Sequence, residues 1–298
     1  MSEDAVAAVV AGLRKIYGRW TRDTTVQEMR ADWNAAFSVR ARDWPVERFA
    51  IGQTDAEWIA APGADRARVI LYLHGGGFRI GSIDSHRDLI QRLSDACGAR
   101  VLAIDYRLSP ENLFPAQLDD ALAAYRWLVA HGGASAGTVI SGDSAGGGLA
   151  LACMLAAREA GLPLPCAGYL MSPWTDMTAG GASYDSRADR DPLHQRAMIL
   201  GMAKGYLGKA GNPHDPLASP LFADLTGLPP LLIQCGGREV ILDDSVVLAE
   251  RAREAGVDVD LDLYDDMIHV FQTYAELPAA GRALGRAGEF LGARWARR

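Results

Sequence analysis

The sequence predicts an α/β fold: a mostly parallel eight-stranded sheet flanked by helices. Three observations predict it. Short apolar runs alternate with helix-like patterns through the middle of the chain. The later runs are continuously apolar, as expected of strands buried on both faces. The 298 residues, 49% hydrophobic and 22% charged, supply a core large enough for one such unit and exclude a disordered or fibrous chain.

In chain order, the first strands are Val46–Ile51 and Glu57–Ala60, whose partial alternation suits an antiparallel edge. The rest are Val69–Leu73, Arg100–Ile104, Thr138–Gly142, Cys166–Met171, Leu231–Cys235 and Val259–Tyr264. The helices between them carry readable ends. Ser85 and Asp88 form a capping-box pattern before the stripe Leu89, Ile90, Leu93 and Ala96, and Gly98 ends that helix. Pro115 precedes a helix with Leu118, Ala121, Leu122 and Tyr125 on one side. Helices at Ala145–Ala160 and Asp244–Ala255 close at Gly161 and Gly256, and a last helix runs from about Pro278. Residues 1–45 and about 175–215 break this rhythm. The first is helical and holds Trp20, Trp33, Phe37 and Trp44, and the second contains a helical piece, Leu193–Leu207. Both are expected to form a cap over one end of the sheet, leaving residues 46–298 as the main domain with the second cap piece inserted in it.

A net charge of -7 with scattered arginines leaves no footprint for nucleic acid or an anionic membrane. The longest apolar stretch, Leu149–Ala157, is too short to span a membrane and reads as a buried helix. The N-terminus opens with two acids where a secretory signal is basic, so a cytoplasmic location is expected. Cys97, Cys153, Cys166 and Cys235 are widely spaced, which suits reduced core thiols better than disulfides or a zinc site.

The chemistry-bearing motif is Gly142-Asp-Ser-Ala-Gly-Gly147, a G-x-S-x-G pattern centred on Ser144. A second match, Gly133–Gly137 around Ser135, lies in a loop ahead of a strand, where nothing would activate it. Ser144 instead follows a strand and precedes a long apolar helix, so it is expected on a sharp turn at a helix N-terminus. The run His74-Gly-Gly-Gly77 directly after a strand offers backbone amides to a developing oxyanion, and Ala145 supplies another amide next to the nucleophile. A serine nucleophile needs a base and an acid, ordered serine, acid, histidine on a sheet of this kind. His269 follows the last strand and every candidate acid. His74 lies on the wrong strand for the base, and His86, His131, His194 and His214 read as solvated or capping residues. Glu239, just past the strand Leu231–Cys235, is the favoured acid. Asp243 is its rival, although an N-cap role competes for it. Phe78 and Trp174 suit a small apolar substrate pocket. No metal-binding cluster or cofactor motif is present, so no cofactor is expected.

The elements HGGGF at 74–78, DYRLSPE at 105–111, FPA at 114–116, GDSAGG at 142–147, DPLASPL at 215–221 and MIHVF at 267–271 resemble the hormone-sensitive-lipase-like branch of the α/β-hydrolases, the bacterial family IV esterases. The resemblance covers about three quarters of the chain. It implies an α/β-hydrolase fold with a helical cap, a nucleophile at Ser144, a base at His269, and oxyanion donors at the amides of Gly76, Gly77 and Ala145. It further implies a carboxylesterase acting on a small ester of short or medium acyl chain, and it admits a homodimer. A lactonase or a small-metabolite deacetylase uses the same triad. A non-catalytic receptor on this scaffold would lack the base, which is present here. The family commonly has Asp where this chain has Glu239.

Overall fold

The computed structural model describes residues 2–131 and 137–297. An eight-stranded sheet forms its centre: β1 (Val46–Ile51), β2 (Thr54–Ala60), β3 (Asp65–Leu73), β4 (Ala99–Asp105), β5 (Thr138–Asp143), β6 (Ala167–Met171), β7 (Leu231–Gly236) and β8 (Val259–Tyr264). Their spatial order is β1-β2-β4-β3-β5-β6-β7-β8. β2 pairs antiparallel with both β1 and β4, and every pair from β4 onward is parallel. The first alternating runs thus form one edge and the apolar runs the doubly covered middle, but β8, expected among the latter, is an alternating, half-buried strand at the other edge.

Side-chain alternation sends Leu71, Ile140, Leu170 and Ile233 to one face. There they pack under α4 (Ala116–Ala130), α5 (Ala145–Glu159) and α8 (Leu242–Glu254). Ile70, Val139, Tyr169 and Leu232 face α3 (Ile83–Cys97) and α9 (Pro278–Trp295) on the other side. α5 is buried along nearly its whole length, as the Leu149–Ala157 run anticipates. Cys97, Cys153 and Cys235 are buried free thiols, and Cys166 is half-buried. No helix among the described residues is long and apolar enough to cross a membrane.

Several boundaries differ from the sequence reading. β2 begins at Thr54 rather than Glu57, because the tight turn after Ile51, with Gly52 at φ 63°, starts pairing at Ile51–Thr54. β3 begins at Asp65 rather than Val69, through an irregular register opposite Ala99. The capping box of α3 is Ser82 with Ser85, one turn before the predicted pair, and Gly98 ends the helix in the left-handed region as expected. α8 starts at Leu242, which takes both Asp243 and Asp244 into its first turn.

Ahead of the sheet lie α1 (Ser2–Tyr17) and α2 (Val26–Phe37). The 175–215 stretch contributes α6 (Ser183–Ser186) and α7 (Arg196–Leu207). Arg14 of α1 donates to the Pro192 carbonyl, and Leu193 packs into the apolar cluster that α1 and α2 build with Met267, Ile268 and Phe271. The segments outside the strand–helix rhythm therefore meet beside the loop that follows β8.

Candidate active site

Ser144 stands between β5 and α5 at φ 52° and ψ −122°, a strained conformation for a residue with a side chain. Three main-chain bonds hold it: its N–H donates to the Met171 carbonyl at 2.9 Å, and its carbonyl accepts from Trp174 at 2.9 Å and from Gly148 at 3.1 Å. The turn requires glycines. A Cβ on Gly142 would lie 2.3 Å from the Gly146 carbonyl oxygen, and one on Gly146 would lie 2.1 Å from that of Leu73. The second motif match, around Ser135, falls outside the described residues.

His269 reaches this serine across the ends of the strands. Its Nε2 is 2.9 Å from Ser144 Oγ, and its Nδ1 is 2.5 Å from Glu239 Oε2. A carboxylate only accepts, so the proton belongs on Nδ1, leaving the Nε2 lone pair for the serine hydroxyl. Glu239 is fully buried, and its other oxygen accepts from Ser172 Oγ at 2.8 Å and from the Gly236 N–H at 2.5 Å. Ser172 also accepts from the Val270 N–H at 3.1 Å, tying the acid to the residue after the histidine. Burial disfavours a charged imidazole, but the charge and hydrogen bond of Glu239 outweigh it and raise the His269 pKa above 6.5. Asp243 does not join this chain. Its carboxylate accepts from the Ser183 N–H instead, so of the two rivals the structure brings Glu239 to the histidine.

The glycine loop after β3 is pinned from below. Asp143 Oδ1 accepts from the Gly75 N–H at 2.9 Å and from the Tyr72 hydroxyl at 2.5 Å. Its Oδ2 lies 3.5 Å from His86 Nε2. Burial opposes both charges, yet their mutual attraction holds Asp143 below and His86 above their ordinary pKa values. Gly76 has φ 115°, and a Cβ there would lie 2.2 Å from the Ile80 carbonyl oxygen. Among the described residues, no main-chain or side-chain acceptor takes the amides of Gly76, Gly77 or Ala145. His74 shapes this loop. Its ring stacks on Tyr106 at 4.2 Å, its Nδ1 is 2.8 Å from the Gly75 carbonyl, and burial pushes its pKa down to about 3.

A cavity of about 360 Å³ opens over Ser144, His269, Gly76 and Gly77, with Trp174 in its wall. Phe78 does not line it, contrary to the sequence expectation. At φ 59° its ring turns under the loop and stacks on Tyr206 with centroids 3.9 Å apart. Two histidines read from sequence as solvated or capping are covered: His86 is buried beneath the loop, and His194 is half-buried against His269 with centroids 4.9 Å apart. Burial, together with the neighbouring His269, pushes the His194 pKa down to about 4, so it packs as a neutral ring. Asp191, also unflagged in sequence, accepts from the Leu193, His194 and Val240 N–H groups and so joins the inserted segment to the residue after Glu239. A charged residue in a loop carries no local sign of such a bridge. Asp143 lies inside the Gly142–Gly147 motif, next to Ser144, which is the local signal that could have marked it.

A family model described as the α/β-hydrolase fold matches residues 70–273. An acetyl-hydrolase of Streptomyces hygroscopicus is 46% identical over 248 residues, 83% of this chain and 82% of the relative. An esterase of Acinetobacter venetianus is 37% identical over 228 residues, 76% of this chain and 75% of the relative. The crystal structure of an esterase from the bacterial hormone-sensitive lipase family superposes with a TM-score of 0.94 at 45% identity, covering 98% of both chains.

Proposed function

The chain belongs to the α/β-hydrolase fold family, within its bacterial hormone-sensitive-lipase branch, and is a carboxylic ester hydrolase; we propose that it acts on esters of short- to medium-chain acids through an acyl-enzyme formed on Ser144. The observation that carries this reading is the unbroken chain Ser144–His269–Glu239 facing unengaged amides of Gly76, Gly77 and Ala145.

Ser144 Oγ attacks the ester carbonyl carbon while His269 Nε2 takes its proton. The carbonyl oxygen becomes an oxyanion and is held by the three amides, two of them on glycines whose backbone approaches closely. As the C–O bond to the alcohol breaks, the imidazolium returns the proton to the departing oxygen, leaving the acyl group on Ser144. Water then attacks with the same base, and collapse of the second oxyanion frees the acid and restores the serine hydroxyl. Glu239 stays ionised throughout, holding the Nδ1 proton and opposing the positive charge that forms on the ring. No step uses a metal or an organic cofactor.

α1, α2 and the 175–215 stretch act in this reading as the cap that keeps water from the acyl group. Trp174 and Ile199 bound the cavity and favour short acyl chains, in keeping with the name of the acetyl-hydrolase relative. The test is hydrolysis of nitrophenyl esters from acetate to palmitate. Wild type should turn over the short members, and Ser144→Ala should turn over none above background. Equal rates for Ser144→Ala and wild type would overturn the mechanism.

A further inference from the structure

The cavity has two walls of different chemistry. The wall nearest His269 is built of rings: Tyr17, Trp33 and Phe37 from α1 and α2, with Tyr274 and His194. These rings are contiguous. Trp33 and Phe37 have centroids 4.6 Å apart, Tyr17 and Trp33 6.1 Å, Tyr17 and His194 6.5 Å, and His194 meets His269 edge-on at 4.9 Å and 79°. The rest of the lining includes Trp174 and, from α7, Ile199 and Met202, side chains that pack into the main core. Met202 lies directly over Gly77, where a Cβ would come 2.5 Å from its sulfur.

Given the proposed roles of Ser144 and His269, the chemistry assigns the two halves of a bound ester to these walls. His269 Nε2 must deliver its proton to the departing oxygen, so the alcohol portion lies on the His269 side and the acyl portion on the Ile199–Met202 side. The ring wall also holds an unused donor. The indole N–H of Trp33 is buried and has no hydrogen-bond partner among the described residues. Buried tryptophan N–H groups usually find a partner, and offset or edge-on ring pairs gain beyond the area they bury.

We propose that the enzyme prefers esters of aromatic alcohols, with the alcohol's ring seated against Tyr17, Trp33 and Phe37. A saturated ring of the same skeleton covers the same wall without ring–ring geometry and is the poorer substrate. The inference rests on the ester-hydrolase reading but fails separately from it.

The test compares kcat/KM for benzyl acetate and cyclohexylmethyl acetate, each divided by its hydroxide-catalysed rate, with ethyl acetate measured alongside. Wild type should favour the benzyl ester by about three- to tenfold. Trp33→Leu and, as a second probe of the same wall, Tyr17→Leu should bring that ratio close to one. Ile199→Phe should keep the ratio while lowering benzyl hexanoate relative to benzyl acetate. A wild-type ratio of one or less overturns the proposal, as does a ratio lost in Ile199→Phe but kept in Trp33→Leu. Turnover of ethyl acetate without a ring preference overturns this inference alone. No turnover of any of these esters overturns the ester-hydrolase reading as well.

Discussion

Replacing Glu239 with Gln keeps the shape of the side chain and removes its charge. In the structure one carboxylate oxygen is 2.5 Å from His269 Nδ1, and the other is held by Ser172 and Gly236. A glutamine oxygen would keep the latter two bonds and turn its NH₂ toward Nδ1. That forces Nδ1 to accept and moves the imidazole proton to Nε2, where it blocks the serine. The variant also leaves the imidazolium of the transition state without its counter-charge. Unit charges at about 4 Å and an effective dielectric of about 20 attract by about 4 kcal/mol. Both partners are buried, so solvent screens little of this. The expected loss in kcat is therefore about 10³-fold, rising toward about 10⁴ with the tautomer penalty. The assay is kcat on nitrophenyl acetate, with thermal melting to show that the variant folds. Asp243→Asn, whose amide oxygen still accepts from the Ser183 N–H, should stay within about threefold of wild type. A folded Glu239→Gln within tenfold of wild type, or an Asp243→Asn that is the worse of the two, refutes the assignment of the acid.

Two further outcomes follow from the same geometry. The base must be neutral, and His269 is raised above 6.5, so kcat/KM should fall as pH drops through a midpoint above 6.5. Removing the Glu239 charge takes away what raises the imidazole, so the acid limb of Glu239→Gln should lie at lower pH than in wild type; a limb that moves up contradicts the stated cause. Gly76→Ala places a Cβ 2.2 Å from the Ile80 carbonyl oxygen on a backbone at φ 115°. The loop must shift, and kcat should fall by about 10²- to 10³-fold with a smaller change in KM, read from full saturation curves.

Much of this was legible from the residues. Apolar runs place the strands from β3 to β7, whereas β8 alternates as VDLDLY at the far edge; the glycines around Ser144 mark a turn that no side chain fits. Strand and helix starts were less legible. Thr54 and Asp65 join strands because a neighbouring strand offers pairing, a tertiary effect that polar residues do not advertise. Ser82 and Ser85 cap α3 through two hydroxyls, whereas the expected pattern pairs a hydroxyl with a carboxylate. His86 and His194 each stand beside polar residues in sequence, and only the folding of distant segments over them buries the first and half-buries the second. Phe78 shows the same limit from the other side: an aromatic beside a glycine loop reads as pocket lining until the backbone turns it toward Tyr206.

The most direct measurement is peptide-mapped mass spectrometry after treatment with an organophosphate ester that traps serine hydrolases. The account predicts one stoichiometric adduct on Ser144, loss of esterase activity in step with labelling, and no adduct in Ser144→Ala. Complete inactivation with the adduct on another residue, or full labelling of Ser144 with activity intact, would contradict it.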